Sequence, residues 1–591
     1  MPSTRTRRGA SRGAPMLRLR IGFVVIAMAL SFFGARLVQL QGVDPQSYAA
    51  MAAAEGAARV TLPAERGDIL DRNGIPLADS VKGKMVIADP ALTADRAPEL
   101  ATLLSERLSI DYFKALTALQ GRNEGSRYEY VARRVPSTLA GDTLAAVEDA
   151  GFEGIRLEDD PIRAYPAGDV AANLLGYMGT DEPLGGFERT FDKQLAGVDG
   201  EATWQSNSGK GVRIPLREST LKAARNGAPL RTTIDRDLQW FTQKVLAQTV
   251  QQYRAESGAA VVMDTRTGEV LALADVPTFD ANEPTEAAST DDLGSRAMSD
   301  TYEPGSVEKV LTAAALIDAG KAFPRQRFKV PPNLARQDRV IGDWFDHGNI
   351  RLTLAGIIAK SSNIGTVLAA DAFTPVQLVD YLNRFGLGRR TDIGVRGETP
   401  GILTPGEAMT SQTKDRVAFG QSLSVNVVQM AAAVNTIANG GVRVSPSVIS
   451  GAAVTDDGVT VGTDVATRSR VVSKQAARAT AKMMEKVVDP EDGVAPRAQV
   501  PGYLVAGKTG TAQRVDPECG CYDGSTSLSF GGFAPADDAR FTVYVVVHAP
   551  SVDGGGGSVA GPVFSRIMGY VLGRYGVEPT GGTPSRLPVE W

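Results

Sequence analysis

Histidine is nearly missing from this chain: its 591 residues carry two, His347 and His548. A triad or metal site built on histidine therefore has little to draw on. Cysteine is as scarce, with Cys519 and Cys521 separated only by Gly520. An exported domain stapled by disulfides would need more, and two thiolates fall short of the four ligands of a structural zinc. The spacing leaves a local bridge in a loop open without favouring it. Aromatic residues amount to 6%, and 63 basic against 67 acidic side chains leave a net charge of −4. Nothing in that balance points to nucleic acid. Internal repeats are lacking, and low complexity is confined to 554–557 and the stretch after Gly576.

Charge of one sign is concentrated in a single place. Arg5, Arg7, Arg8, Arg12, Arg18 and Arg20 all precede the first acid, Asp44. Residues 21–35 then run without a charge up to Arg36, followed by Leu37-Val38-Gln39-Leu40. Residues 17–40 are long enough to cross about 30 Å of hydrocarbon with arginines snorkelling at the ends. The basic side stays cytoplasmic, which puts the bulk of the chain outside. A cleaved signal would need a clean small-x-small site, which the stretch before Arg36 does not offer, and the arginine itself suits an anchor better. The expectation is an uncleaved single-pass anchor.

The length predicts two or three domains. Residues 48–58 are Ala-rich and read as a helix continuing the anchor. Asn73-Gly74, within Glu65-Arg66-Gly67-Asp68-Ile69-Leu70-Asp71-Arg72-Asn73-Gly74, is a hairpin turn signal. From there to about residue 220 the text mixes short strands and helices with no nucleophile-plus-base grouping, as expected of an extended spacer. Beyond Leu230, an amphipathic helix is predicted over 235–253, with Leu238, Phe241, Val245 and Leu246 on one face. Strands at 259–263 and 270–273 flank a turn. Helices follow at 306–319, 352–359, 375–385 and 425–437. Strands return at 504–508, 528–533 and 541–547, and a helix at 563–575 closes the domain. Strands at both ends with helices between imply an α+β fold, an antiparallel sheet packed on a helical subdomain. The expected division is a basic tail at 1–16, an anchor at 17–40, a spacer or pedestal at 41–225, a catalytic domain at 226–577 and a flexible tail at 578–591.

Three short strings carry chemistry: Ser306-Val307-Glu308-Lys309, Ser361-Ser362-Asn363 and Lys508-Thr509-Gly510-Thr511. Each is weak alone. Ser219–Lys222 and Ser411–Lys414 also have the Ser-x-x-Lys spacing, and Ser424-Val425-Asn426 repeats the second pattern. An isolated match is a helix cap, a turn or an exposed strand lysine. Context separates them. Ser306 follows Pro304-Gly305 and opens an apolar helix, where residues three apart share a face, so Lys309 can reach its hydroxyl. Lysine acts as a base only when burial or a second cation destabilises its ammonium. Lys508, on a strand, is placed to supply that cation and, with Thr509 and Thr511, to bind a carboxylate. Gly510 leaves room for a substrate backbone. The amides of Ser306 and Thr511 are candidates for an oxyanion hole. Helix, turn and strand motifs in this order, roughly 50 and 150 residues apart, form a parts list for acyl transfer without histidine.

In these motifs the chain resembles the class B penicillin-binding proteins, and within them the division-specific FtsI type. The resemblance extends over the anchor, Arg66-Gly67 with Asp71-Arg72 and Gly74, Gly186-Phe187-Glu188 and the catalytic domain. It implies a penicilloyl-serine transferase fold and a peptidoglycan D,D-transpeptidase. Ser306 would attack the D-Ala–D-Ala amide of a stem peptide, and a neighbouring stem's amine would resolve the acyl-enzyme. By the same resemblance Lys309 activates Ser306, Ser361 relays a proton and Asn363 orients Lys309 and the substrate amide. Lys508, Thr509 and Thr511 would hold the terminal carboxylate, and β-lactams would acylate the same serine. No cofactor or metal is implied. The implied partners are peptidoglycan strands, an FtsW-type membrane glycosyltransferase and other divisome proteins, at the septum of the cytoplasmic membrane.

Ile87-Ala88-Asp89-Pro90 and Ala418-Phe419-Gly420-Gln421 are nearer the division than the elongation type, and Cys519-Gly520-Cys521-Tyr522 resembles actinobacterial members. An elongation-type enzyme, or a catalytically silent scaffold or β-lactam sensor, is the alternative. A hydrolase on the same fold fits the large N-terminal region less well. Glu308 stands where the family usually has an apolar or aromatic residue, and an acid there is expected to raise the pKa of Lys309.

Overall fold

A computed structural model describes residues 15–39, 57–123, 125–205, 220–287, 289–337, 339–516 and 519–591. Helix α1 (Pro15–Val38) contains an 18-residue window of mean hydropathy 2.2 within Met16–Val38 and is long and apolar enough to cross a membrane. Leu40, residues 1–14 and 48–56 of the expected second helix lie outside the described residues. Ala57 and Ala58, also expected to be helical, instead open a strand, Ala57–Leu62. That strand pairs antiparallel with Gly200–Gln205, which pairs with Thr220–Lys222. These segments belong to a compact unit of their own.

The second unit holds residues 64–198 together with 226–591. In the 64–198 part, Gly83–Ala88 lies between Glu129–Pro136 and Ile155–Asp159 in a three-stranded antiparallel sheet. The Asn73-Gly74 turn closes a hairpin, with Gly74 at φ +83° and Asp71 Oδ1 accepting from the amides of Asn73 and Ile75. Arg66 donates to Glu188 at 2.5 Å, and Arg163 reaches the other carboxylate oxygen at 2.7 Å. Glu188 is fully buried, so its charge is held by two guanidinium groups rather than by water.

The remainder of this unit is built on a five-stranded antiparallel sheet. Its elements in chain order are α2 (Arg236–Gln252), β1 (Ser257–Asp264), β2 (Val270–Val276), α3 (Lys309–Asp318), α4 (Leu354–Lys360), α5 (Asn363–Ala370), α6 (Val427–Ala438), α7 (Lys474–Glu485), β3 (Ala506–Val515), β4 (Tyr522–Ala534), β5 (Phe541–His548) and α8 (Ala560–Arg574). The strand order is β2-β1-β5-β4-β3, which leaves β3 at an edge. Every residue of β1 and β5 is buried. Phe530 packs against Phe564 of α8, while a side chain at the adjacent Gly531 would meet Val434 of α6, so helices cover both faces. Two-sided burial explains the unbroken apolar runs of β1 and β5. Asp235 caps α2 by accepting from the amides of Asp237 and Leu238.

Three differences from the sequence reading have physical causes. Strand β3 starts later and runs further than 504–508, because its Gly and Thr residues hide the apolar alternation. Cys519 and Cys521, in the turn between β3 and β4, are joined by a disulfide, so the local bridge that the spacing did not favour is present. Residues 578–591, expected to trail as a flexible tail, instead lie against the domain: Val589 is 5% exposed and Trp591 Nε1 donates to Leu352 O at 3.2 Å. Tail composition carries no sign of such a docking site, which is made of backbone far away in sequence.

Candidate active site

Ser306 sits in a single 3-10 turn, Gly305–Val307, directly ahead of α3. The turn is wedged between the edge strand β3 and the segment around Gly420. Gly305 has φ +55°, and a side chain there would lie 2.8 Å from Thr511 O. Its amide donates to Gly420 O at 2.9 Å, and a Cβ at Gly420 would fall 1.9 Å from Gly305 O. Two glycines packed backbone to backbone thus fix the height of Ser306 over β3.

Lys309 opens α3 and is fully buried. Its Nζ donates to Ser361 O at 2.7 Å and Asn363 Oδ1 at 2.7 Å, with Ser361 Oγ at 3.5 Å. Among the described residues its hydrogen bonds go to these partners and not to Ser306. Burial pushes the ammonium down from 10.5 to about 7, against the charges of Asp343 and Glu308. The expectation for Glu308 is thereby refined: its charge does favour the ammonium, but desolvation outweighs it. Glu308 is itself buried, accepts from Thr312 Oγ1 at 2.7 Å, and is pushed well above the usual carboxylate range by desolvation. Both members of the pair therefore lean to their neutral forms.

Ser361 ends α4 in the left-handed conformation at φ +60°, an arrangement that costs a non-glycine residue about 1–3 kcal/mol. The next residue, Ser362, caps α5 by accepting from the Gly365 amide at 2.8 Å. Asp343 locks this junction by accepting from Ser362 Oγ at 2.7 Å and the Ile364 amide at 3.0 Å. The reward for the strained turn is the position of Ser361 Oγ. It accepts from Lys508 Nζ at 2.8 Å and has Lys309 Nζ at 3.5 Å. Lys508 is fully buried, also donates to Thr509 Oγ1 at 3.1 Å, and is held well below 10.5 by burial and by the Lys309 charge.

These groups face a cleft of about 530 Å³ lined by Ser306, Ser361, Asn363, Thr509 and Thr511, with Trp344, Phe419, Gln421 and residues 554–558 around them. Lys309 and Lys508 lie buried behind this lining. Gly510 has a packing role beside the one read from the sequence. It is buried, and a side chain there would strike Ser529 Oγ and come within 2.9 Å of Pro304 O. Its smallness serves the packing of the Ser306 turn on β3. Asp343 and Trp344 were missed by the sequence reading, since Asp343 acts across 19 residues and no local pattern marks either. The histidines stay out of the cleft: His548 pairs with Ser527 Oγ and is pushed by burial down to about 4, and His347 bonds Asp343.

The comparisons agree with this geometry. Residues 258–569 match the penicillin-binding protein transpeptidase domain, and residues 61–183 the penicillin-binding protein dimerisation domain. The chain is 33% identical to the penicillin-binding protein PbpB of Mycolicibacterium smegmatis, over 99% of this chain and 96% of that protein. It is 32% identical to the peptidoglycan D,D-transpeptidase FtsI of Escherichia coli, over 94% and 91% respectively. Penicillin-binding protein 3 of Mycobacterium tuberculosis, solved with aztreonam, is 31% identical with a TM-score of 0.68, over 90% of this chain and 100% of that one. A serine beside two buried lysines, a preceding dimerisation domain and near full-length kinship converge: the chain belongs to the class B penicillin-binding proteins.

Proposed function

We infer that this protein is a peptidoglycan D,D-transpeptidase acting in septal wall synthesis, with Ser306 as its nucleophile. The observation that carries the reading is Ser361 Oγ, set between Lys508 Nζ at 2.8 Å and Lys309 Nζ at 3.5 Å beside the Ser306 cleft. Neutral Lys309 accepts the Ser306 proton after a side-chain torsion brings the two together, and Ser306 Oγ adds to the penultimate D-Ala carbonyl carbon. The amides of Ser306 and Thr511 receive the oxyanion. Collapse breaks the C–N bond, and the proton passes through Ser361 Oγ to the leaving nitrogen, releasing D-alanine. A neighbouring stem's amine then attacks the acyl-enzyme, its proton returning by the same route. Asn363 holds Lys309 through its side-chain oxygen. Lys508, Thr509 and Thr511 hold the terminal carboxylate, which restores the charge that burial withdraws from Lys508.

A β-lactam presents the same carboxylate and a strained amide, and acylates Ser306. The domain divisions at 41–225 and 226–577 belong to this reading. So do the cytoplasmic N-terminus, the division septum and an FtsW-type glycosyltransferase partner that supplies strands. Helix α1 supports a single-pass anchor by its length and composition. The test is labelling with a fluorescent penicillin. Stable one-to-one adduct formation on the wild-type chain, lost in Ser306→Ala, is the expected result. A folded wild-type chain that takes no label overturns the reading in favour of a silent scaffold, and rapid turnover of the label favours a hydrolase.

A further inference from the structure

Helix α4, whose end presents Ser361, is only seven residues long, and its start is held by a segment more than 200 positions away. Thr353 caps the helix by accepting from the Gly356 amide at 3.0 Å, and the same hydroxyl donates to Pro588 O at 2.5 Å. The Thr353 amide donates to Val589 O at 3.0 Å. Leu352 and Glu590 form an antiparallel bridge, and the Trp591 amide donates to Arg351 O at 3.2 Å. Trp591 is the clasp. Its indole nitrogen donates to Leu352 O at 3.2 Å and Phe328 O at 3.3 Å, and the guanidinium groups of Arg327 and Arg351 lie 4.9 and 5.3 Å from its ring centroid.

The fit leaves no slack. A Cβ at Gly356 would lie 1.9 Å from Val589 O, so the backbone of this strap rests directly on the helix. Ser361 follows Gly356 by about one and a half turns, or roughly 7.5 Å along the axis. Over so short a rod, a shift at the capped end reaches Ser361 undamped. Upstream, Thr580 Oγ1 donates to Asp537 at 2.7 Å and the Ser585 amide to Glu485 at 2.8 Å, so the strap is tethered before it reaches α4.

We propose that Val589 and Trp591 are positioning residues for Ser361, the strap setting where its hydroxyl stands between Lys309 and Lys508. This rests on the transpeptidase reading above. A misplacement of 1 Å at a reacting group can cost about a hundredfold in rate, so the strap is expected to act on the chemical step rather than on binding.

The experiment measures acylation of the full chain in detergent by a chromogenic penicillin, resolving the saturation constant from the limiting rate. Wild type is compared with Trp591→Ala, Trp591→Phe, Gly356→Ala and a chain truncated after Leu587, with the folded fraction set by near-UV circular dichroism. Per folded molecule, Trp591→Ala, Gly356→Ala and the truncation are expected to lower the limiting rate by about tenfold or more, with the saturation constant within about threefold. The foot of the pH profile should move as well. Trp591→Phe, which keeps the ring between the arginines, is expected to recover most of the rate. A wild-type limiting rate and pH profile in folded Trp591→Ala and in the truncated chain overturn the proposal. So does a loss accounted for entirely by unfolded protein, or one confined to the saturation constant. If the wild-type chain itself is not acylated, the transpeptidase reading fails instead.

Discussion

Lys508 Nζ donates to Ser361 Oγ at 2.8 Å across 147 residues of sequence, joining the edge strand to the turn between α4 and α5. With Lys309 Nζ 3.5 Å away as well, the hydroxyl is within reach of both lysines and can pass a proton between them. Ser361→Ala removes that relay, while Lys508 keeps Thr509 O and Oγ1 as acceptors. The expected outcome is a loss of about 10²–10⁴ in the limiting acylation rate with binding of the penicillin little changed. Stopped-flow measurement of the two constants decides it, and a near wild-type rate would remove Ser361 from the proton path.

The pH dependence follows from Lys309, held at about 7 by burial. The base is the neutral amine, so acylation is expected to climb as pH rises through about 7 and to level off above it. Stability responds with the same sign. Between about 7 and 10.5 the unfolded chain binds a proton that the folded chain refuses. Folding stability contributed by this group therefore rises with pH across that window, and its penalty is fully present below it. A rate profile flat from pH 6 to 8 would exclude Lys309 as the base.

Glu308 offers a sharper probe, because desolvation holds its carboxyl well above the usual range and so in the neutral form beside Lys309. Glu308→Gln keeps an oxygen for Thr312 and imitates that neutral carboxyl. The rising limb is expected to stay in place, with the plateau retained. A limb displaced to lower pH would mean that Glu308 carries a charge favouring the Lys309 ammonium, and would contradict the neutral pairing of the two.

Much of this site was legible in the sequence because its parts are local strings. Ser306 and Lys309 lie one helical turn apart, Ser361 and Asn363 bracket a cap, and Lys508 to Thr511 share a strand. What the strings could not carry was their joining. Helical spacing points Lys309 at Ser306, yet the tertiary fold turns its Nζ to Ser361 O and Asn363 Oδ1, acceptors from another element. Asp343 and Trp344 belong to a loop whose value appears only once α4 and α5 meet. Gly510 was legible as a small residue but not for what its smallness accommodates, since Pro304 reaches it through the fold alone. The sheet was readable where two-sided burial leaves plain apolar runs, as in β1 and β5, and blurred in β3, where glycine and threonine do the chemistry and packing. The docked 578–591 segment was illegible for the same reason as the Lys309 contacts: its site is backbone supplied by residues 351–356.

Gly305 tests whether the height of Ser306 is set by backbone contact. Its φ of +55° already disfavours a side chain, and an added Cβ would lie 2.8 Å from Thr511 O. That oxygen belongs to a strand hydrogen-bonded along its length to β4, so it cannot yield without disturbing the sheet. Gly305→Ala should therefore displace the turn rather than the strand, lifting Ser306 away from the Thr511 amide. The left-handed conformation adds a cost of about 1–3 kcal/mol, visible as a lowered Tm. Because Lys309, Ser361 and Lys508 stay on their own elements, the variant should still fold around an intact lysine pair. Its limiting acylation rate should fall by about tenfold or more. A variant with lowered Tm but an undiminished rate would mean that the turn regains its place on binding, and that contact with β3 does not set the nucleophile.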